Sequence, residues 1–226
     1  MTVMAIIPAR GGSKRLPRKN ILPLGGQPML SYPVQAALNS GVFDAVYVTS
    51  DDAEMNTAAE QYGAKTVYRP ADTATDTAHE LTAVQHWLDN LDKKPTHFCV
   101  IYPTAAFILP EDLNGSFDVI KADPECGVLM SVSGYDIHPY KSLVQNDKGY
   151  WEMMFPKECK MRSQHYPHVV ASNGTFYWFN TSAFEDNPTY YLDNLKTYEI
   201  PSERAIDIDT QEDYEWAKKI YKLTKG

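Results

Sequence analysis

Residues 4–20 read MAIIPARGGSKRLPRKN, a short apolar run that passes into a loop rich in glycine and basic side chains. The run Met4–Ile7 ends at Pro8 and is typical of a buried β-strand. Gly11 and Gly12 lack a Cβ atom, so the backbone can turn sharply and bring N–H groups close to an anion. Open α/β sheets tend to bind ligands at such a position after the first strand. The segment therefore predicts an anion site there.

The cations of this loop suit a phosphate ligand. No Asp or Glu occurs before Asp44, although the chain has 29 acidic residues and a net charge of −8. Five cations lie within ten residues of this acid-free region: Arg10, Lys14, Arg15, Arg18 and Lys19. Charged donors of this kind form short, strong hydrogen bonds to phosphate oxygens, and the Ser13 hydroxyl adds a neutral donor. A solvated charged turn is the alternative for such a cluster taken alone.

Two common nucleotide-binding loops do not fit. The chain contains neither GxxxxGK[ST] nor GxGxxG, which weighs against a P-loop NTPase and against a dinucleotide-binding oxidoreductase. The loop therefore predicts an anion site that belongs to neither of these classes.

Short apolar runs alternate with helical patterns through most of the chain. Further strands are predicted at 45–49, 65–68, 98–102, 128–132 and 175–179. Apolar residues at helical spacing predict helices between them, at 29–38, from 51 to 62, at 81–91 and at 111–122. This alternation predicts a three-layer α/β fold with a mainly parallel sheet. We expect one domain over residues 1–226, since that length can bury a sizeable core.

Residues 135–172 break the pattern, being polar and aromatic with less regular periodicity. They include Trp151, Met153, Met154 and Phe155, which would be costly to expose to water. We expect an insertion that carries a small sheet or extended arm and meets a second subunit. The alternative is that these side chains cap the main core.

A second chemical motif lies near the C-terminus, where residues 206–210 read IDIDT. On an extended strand Asp207 and Asp209 would share one face, with Cα atoms about 7 Å apart, while Ile206 and Ile208 enter the core. Two such carboxylates suit Mg²⁺, which keeps waters and substrate phosphate oxygens as its other ligands. Thr210 resembles the start of a capped helix. The alternative is an N-cap at Asp209 and a solvated Asp207.

Composition excludes several other classes. Three scattered cysteines without CxxC spacing argue against a disulfide framework or zinc site and fit a reducing cytoplasm. The acidic net charge argues against a nucleic-acid partner. No apolar run approaches the length of a membrane span and no secretion signal is evident, so we expect a cytoplasmic protein without a membrane partner.

Taken in order, PARGGSKRLPRKN, RPADTATDT and DIDTQED resemble the acylneuraminate cytidylyltransferases, also called CMP-sialic acid synthetases. MRSQ and NGTFYWF, between the last two, are most similar to the bacterial branch acting on pseudaminic acid and related nonulosonates. The resemblance covers nearly the whole chain. It implies a Rossmann-like nucleotidyltransferase fold, an Mg²⁺ cofactor, CTP and an acidic nine-carbon sugar as substrates, and a homodimer in which residues 135–172 reach the partner's active site.

The resemblance also implies roles for individual residues. The nucleotide would be held by the loop and by two residues near the base: Arg10, Gly11, Gly12, Ser13, Lys14, Lys19, Asn20, Arg69 and Ala78. The metal ligands would be Asp207 and Asp209, and the catalytic residues would be Arg10, Lys19 and Asp209. Candidates for the sugar are Tyr102, Thr104, Lys141, Arg162, Gln164 and Asn173, although Tyr102 is also typical of a packing residue.

Two departures from the family leave the sugar open. Sialic acid enzymes typically carry Gln-Pro-Thr-Ser where this chain has YPTA at 102–105, and the pseudaminic branch commonly has His-Asp-Ala-Gly where SNG stands at 172–174. Two other functions remain as alternatives: a CMP-Kdo synthetase, which would share the loop, and a non-catalytic nucleotide-binding regulator.

Overall fold

The computed structural model describes residues 1–70, 73 and 80–225. Its strands are β1 Val3–Pro8, β2 Pro23–Leu24, β3 Gln27–Pro28, β4 Ala45–Ser50, β5 Lys65–Tyr68, β6 His97–Ile101, β7 Val128–Gly134, β8 Leu143–Gln145, β9 Trp151–Met153, β10 Val170–Asn180 and β11 Leu195–Glu199. Its α-helices are α1 Ser31–Ser40, α2 Ala53–Gln61, α3 Glu80–Asp89, α4 Pro110–Lys121, α5 Thr181–Asp186 and α6 Gln211–Lys225. No helix among these residues is long and apolar enough to span a bilayer.

Seven strands form one sheet in the order β11-β7-β10-β6-β1-β4-β5. β10 runs antiparallel to both of its neighbours, whereas the other pairs are parallel. The predicted α/β fold with a mainly parallel sheet is therefore confirmed. β11 was not predicted: its sequence, LKTYE, is mostly polar because it lies at the sheet edge, where one side of the strand meets solvent.

The sheet is covered by helices on both faces. Along β1, Ala5 and Ile7 pack under α1, α2 and α4, whereas Ile6 points to the opposite face, under α3 and α5. This alternation follows from the two-residue period of a strand. Both faces are mainly apolar, which explains why the central strands read as largely hydrophobic runs. Cys99 and Cys126 are buried thiols in this core.

A third apolar cluster joins the C-terminal helix to the region after the glycine loop. α6 contributes Tyr214 and Ala217, which pack with Leu16 and Leu24. The β2–β3 turn holds Gly25 at φ +58°, and a Cβ there would lie 2.0 Å from the ring of Tyr221. Tyr221 of α6 therefore packs closely against the turn. This packing places the segment before α6 near the basic loop.

The prediction of a strand at 206–209 is wrong, because these residues have no ladder partner. The edge beside β7 is already taken by β11, so the segment runs past the sheet as irregular backbone. Ile208 is fully buried in the third cluster, as the alternating pattern predicted. The predicted cap of α6 is present: the Thr210 N–H donates to Asp213 Oδ2 at 2.8 Å, and the Asp213 N–H donates back to Thr210 Oγ1 at 3.2 Å.

Residues 135–169 lie outside the seven-stranded sheet and carry the small β8–β9 hairpin. Residues 170–172, which we had included in the insertion, begin β10 and pair with β7. A ring cluster of His138, Tyr140 and Tyr166 supports the base of the insertion, with centroids 4.5–5.3 Å apart.

Candidate active site

A cleft of about 360 Å³ opens at the carboxyl ends of β1 and β6, which are neighbours in the sheet. Its lining comprises Pro8, Arg10, Ser13, Lys14, Arg15, Leu16, Lys19, Asn20, Arg69, Glu80, Tyr102, Pro103, Thr104 and Asp209. Five of these described residues are cations and two are acids. A concave site with this excess of positive charge suits a polyanionic ligand.

The glycine loop is held in place by carboxylates that follow β4. The Gly11 N–H donates to Asp51 Oδ1 at 2.9 Å, so this amide, which the sequence assigned to an anion, is taken by the protein itself. Arg18 has a left-handed backbone, φ 54°, and its guanidinium contacts Asp52 at 3.0 Å and Glu54 at 2.5 Å. Arg18 therefore anchors the loop to the start of α2, while the remaining cations face the cleft.

Two polar atoms in the cleft wall lack partners. Ser13 Oγ and Asn20 Oδ1 are buried without a hydrogen bond to any residue that the structure describes. The Asn20 side-chain nitrogen donates to the Arg10 carbonyl at 3.1 Å, and the Asn20 backbone carbonyl accepts from the Leu30 N–H at 2.8 Å. Its position is therefore fixed by the fold. Unpaired buried polar atoms are uncommon in native proteins, and their place beside the basic loop indicates that a ligand satisfies them.

Asp209 meets the basic loop directly. Its Oδ1 accepts from Lys19 Nζ at 2.7 Å, and its Oδ2 from Arg15 at 2.6 Å. Burial would raise the pKa of Asp209, but the hydrogen bond and charge of Lys19, reinforced by Arg15, hold it below the ordinary value. Residues 190 positions apart in sequence thus share one site. Arg15, which the sequence placed among the loop cations but gave no role of its own, belongs to it.

Asp207 lies at the margin of this site and outside the cleft lining. It sits beside Gly174 of β10, whose φ is +64°; a Cβ there would be 4.0 Å from Asp207 Oδ2. Partial burial raises the pKa of Asp207, and the charge of Asp209 adds to the effect. A carboxylate whose ionised form is disfavoured in this way gains from a nearby cation. Asp207 and Asp209 together fit Mg²⁺, which takes one or two protein carboxylates plus waters and phosphate oxygens.

Arg69 closes another side of the cleft and is only 3% exposed. Its Nε donates to the Thr73 carbonyl at 3.1 Å, and its Nη2 binds the same oxygen. Burial lowers its pKa, while Asp51 and Glu80 oppose that shift. A buried guanidinium held in this way presents a fixed edge to a ligand. Ala78, the other predicted base-binding residue, lies outside the described residues.

The predicted sugar-binding residues fall into two groups. Tyr102 and Thr104 line the cleft. Asn173 does not; its amide is bonded to two serines of β7, accepting from Ser131 at 2.7 Å and donating to Ser133 at 3.0 Å. The others lie exposed on the insertion, away from the cleft of their own chain: Lys141, Arg162 and Gln164.

Sequence reasoning missed Glu80 and Asp51. Glu80 follows the RPADTATDT motif as an ordinary first-turn glutamate of a helix, and nothing in its sequence context marks it. Asp51 directly follows β4, the parallel neighbour of β1. Because the carboxyl ends of parallel neighbours meet at one sheet edge, that position was an available signal.

Comparison with known proteins agrees with this geometry. The sequence profile described as Cytidylyltransferase matches residues 4–224. The pseudaminic acid cytidylyltransferase of Campylobacter jejuni serotype O:2 is 32% identical over 99% of this chain and 97% of its own length. A CMP-N,N'-diacetyllegionaminic acid synthase from Legionella pneumophila is 28% identical over 100% and 98%.

Among solved structures, a CMP:2-keto-3-deoxy-manno-octonic acid synthetase in complex with CTP superposes with a TM-score of 0.74. It is 17% identical, and the match covers 99% of both chains. At that identity the likeness concerns the fold alone. Together with the full-length profile match, which includes both the basic loop and Asp209, it leads to one conclusion: the chain belongs to the cytidylyltransferase family.

Proposed function

We propose that this protein transfers CMP from CTP to the anomeric hydroxyl of a nine-carbon nonulosonic acid and releases pyrophosphate. The observation that carries the proposal is the meeting of Lys19 and Asp209 at 2.7 Å inside a cleft lined by four further cations. The unpaired Ser13 and Asn20 atoms beside them support a ligand there. Full-length relatives that make CMP-nonulosonates point to the same chemistry.

For the sugar, we propose pseudaminic acid or a related sialic or legionaminic acid. The 32% identical relative is named for pseudaminic acid, and the 28% identical one for a legionaminic acid. The CMP-Kdo synthetase alternative is not favoured, because its likeness rests on 17% identity. The regulator alternative is not favoured either, since the acidic residues needed for chemistry remain in place beside the loop.

The chemistry assigned to the side chains is positioning and charge neutralisation, as in other transfers at phosphorus. The sugar's C2 hydroxyl oxygen forms a bond to the α-phosphorus of CTP, and the bond from that phosphorus to the bridging oxygen of pyrophosphate breaks. Arg10 and Lys19 stabilise the charge that builds on the departing pyrophosphate. Asp209, whose carboxyl group is ionised, accepts the hydroxyl proton.

We assign Asp207 and Asp209 as the residues that would hold Mg²⁺. When bound, the ion neutralises phosphate charge and makes the sugar hydroxyl more acidic. Asp209 already carries Lys19 and Arg15 on its two oxygens, so the metal would compete with these cations for Asp209, and the nucleotide phosphates would compete with Asp209 for the cations. Arg15 is the more exposed of the two and is the one we expect to move.

We further propose that the protein is a homodimer formed through the insertion. Large apolar side chains there are left in water, among them Ile137 at 72%, Tyr150 at 70% and Trp151 at 64% exposure. Exposed apolar patches of this kind mark protein interfaces. A dimer would also give Lys141, Arg162 and Gln164, which do not line the cleft of their own chain, a route to the partner's site.

A pyrophosphate-release assay tests the proposal. CTP, UTP and ATP are each supplied with Mg²⁺ and with pseudaminic, legionaminic or sialic acid, or Kdo. We expect turnover with CTP and at least one nine-carbon acid, and little with Kdo or other nucleotides. Turnover with Kdo alone would favour the alternative enzyme. CTP binding without pyrophosphate release across the panel would favour the regulator.

A further inference from the structure

Glu80, at the start of α3, binds two tyrosine hydroxyls at the edge of the cleft. The hydroxyls of Tyr102, after β6, and Tyr190, after α5, both donate to Glu80 Oε1. Three segments that are separate in sequence are thus joined at one carboxylate. Glu80 and Tyr102 both line the cleft, so this junction faces the ligand.

The tyrosines form a continuous wall behind the junction. The ring of Tyr177, on β10, lies 4.3 Å from that of Tyr190 and 5.8 Å from that of Tyr102. The Tyr177 hydroxyl in turn meets Ser172 Oγ at 2.5 Å, where the pairing of β10 with β7 is irregular. The tyrosine wall therefore extends from Glu80 to β10. In β10 it reaches the part of the strand that contains Gly174, which lies beside Asp207.

The carboxylate fixes the direction of the phenolic hydrogen bonds. Carboxylates accept only, so Tyr102 and Tyr190 must each donate their one proton toward Glu80. Burial and the charge of Glu80 raise the pKa of both hydroxyls, which keeps them protonated. The Tyr102 oxygen also meets the Tyr190 hydroxyl, and its remaining lone pair can be offered to the cleft. It therefore suits donors such as sugar hydroxyl and acylamino N–H groups.

We propose that Glu80 is a positioning residue for the sugar substrate, because it holds the Tyr102 hydroxyl so that its oxygen accepts a hydrogen bond from the sugar. The inference rests on the proposed cytidylyltransferase function. On the nucleotide side of the cleft, the charge of Glu80 acts on Arg69, where it is a lesser influence than burial. Its loss is therefore felt in sugar binding more than in CTP binding.

The test compares Glu80→Ala, Glu80→Gln and a control, Glu111→Ala, with the wild type. Glu111 is also a first-turn glutamate of a helix, but it is exposed and does not line the cleft. We measure KM for the sugar, kcat, the CTP dissociation constant by calorimetry, and Tm. Loss of an oriented hydrogen bond predicts a sugar KM about tenfold higher in Glu80→Ala, with CTP affinity within about twofold. Glu80→Gln, whose amide oxygen still accepts but carries no charge, raises the sugar KM by only about threefold, and the control is unchanged.

Two results in Glu80→Ala would overturn the inference. A sugar KM within about twofold of the wild type in Glu80→Ala overturns it, and so does an equal loss of CTP affinity, which indicates general disruption. If Glu80→Ala does not fold, Glu80→Gln decides: a rise of about threefold in sugar KM supports the inference, and no rise overturns it. Absence of turnover in the wild type is a separate result, since it refutes the proposed function itself.

Discussion

The contact between Lys19 and Asp209 gives a quantitative prediction, tested by a double-mutant cycle of Lys19→Met and Asp209→Asn. The two charged atoms are 2.7 Å apart, and the side chains are 21% and 24% exposed. At an effective dielectric constant of about 20, their attraction is about 6 kcal/mol before desolvation. Most of that is cancelled by the cost of removing both charges from water. We expect a net coupling of about 1–2 kcal/mol, as for hydrogen bonds between charged groups.

Urea and thermal unfolding of the wild type, both single variants and the double variant measure this coupling. For a chain of this length, 1 kcal/mol corresponds to about 2–4 °C in Tm. The matched control is the exposed pair Lys218 and Glu215, which are 2.6 Å apart in α6. We expect no more than about 0.5 kcal/mol of coupling there. If the Lys19 and Asp209 variants add within about 0.3 kcal/mol, the two residues do not interact and the site as described is wrong.

The pH dependence of the same variants has a definite sign. The pKa of Asp209 is lowered in the folded protein, so its ionised form contributes stability at pH values above the unfolded pKa of about 3.9. That contribution is lost as the pH falls through the lower folded value. The wild type should therefore lose its stability advantage over Asp209→Asn as the pH is lowered from 7 toward 3. An advantage that grows on acidification contradicts the ion pairing.

Three further changes test other parts of the structure. In Gly12→Ala the added Cβ has open space, so we expect a free energy of unfolding within about 0.5 kcal/mol of the wild type. CTP should bind about tenfold more weakly by calorimetry, because the ligand approaches the loop backbone. In Gly11→Ala the added Cβ has a neighbour at 3.1 Å, so the free energy of unfolding should fall as well. In Gly25→Ala the added Cβ would clash with the ring of Tyr221 in α6, so the free energy of unfolding in urea should fall by about 2–4 kcal/mol. The control is Gly26→Ala, which has positive φ but open space, and its loss should be about 1–2 kcal/mol. Trp151→Ser should shift the protein toward monomer in sedimentation, whereas an unchanged dimer would place the interface elsewhere.

The sequence predicted the core of the fold because its strands are buried on both faces. β1, β4 and β6 read as uninterrupted apolar runs, and the helices that cover them show regular spacing. The sequence does not predict β11, because it is a polar edge strand. It wrongly predicts a strand at 206–209, because apolar and acidic residues alternate there as they would in a strand. That alternation arises from the packing of Ile208, with Ile206 partly buried beside it, and not from pairing. Periodicity reports which side chains are buried, but not whether the backbone has a partner.

The site was partly predictable for a similar reason. The loop cations and the acidic pair are local motifs, and their chemistry required them to meet. The two motifs meet because α6 packs on the β2–β3 turn. That packing depends on Gly25 and Tyr221, which carry no chemical signal of their own. Glu80 could not be found from sequence because its role depends on two tyrosines, 22 and 110 residues away. Long-range contacts of this kind are invisible to local patterns.

The central claim is that the basic loop and Asp209 form one centre for nucleotidyl transfer. Single-turnover pyrophosphate release from CTP, with Mg²⁺ and pseudaminic acid or whichever nine-carbon acid the wild type uses, tests it most directly. We expect Asp209→Asn to be at least about 100-fold slower than the wild type, a loss of about 2.7 kcal/mol of transition-state stabilisation. Glu212→Gln, an exposed charge change at the start of α6, should keep its full rate. Turnover of Asp209→Asn within about threefold of the wild type would contradict the claim.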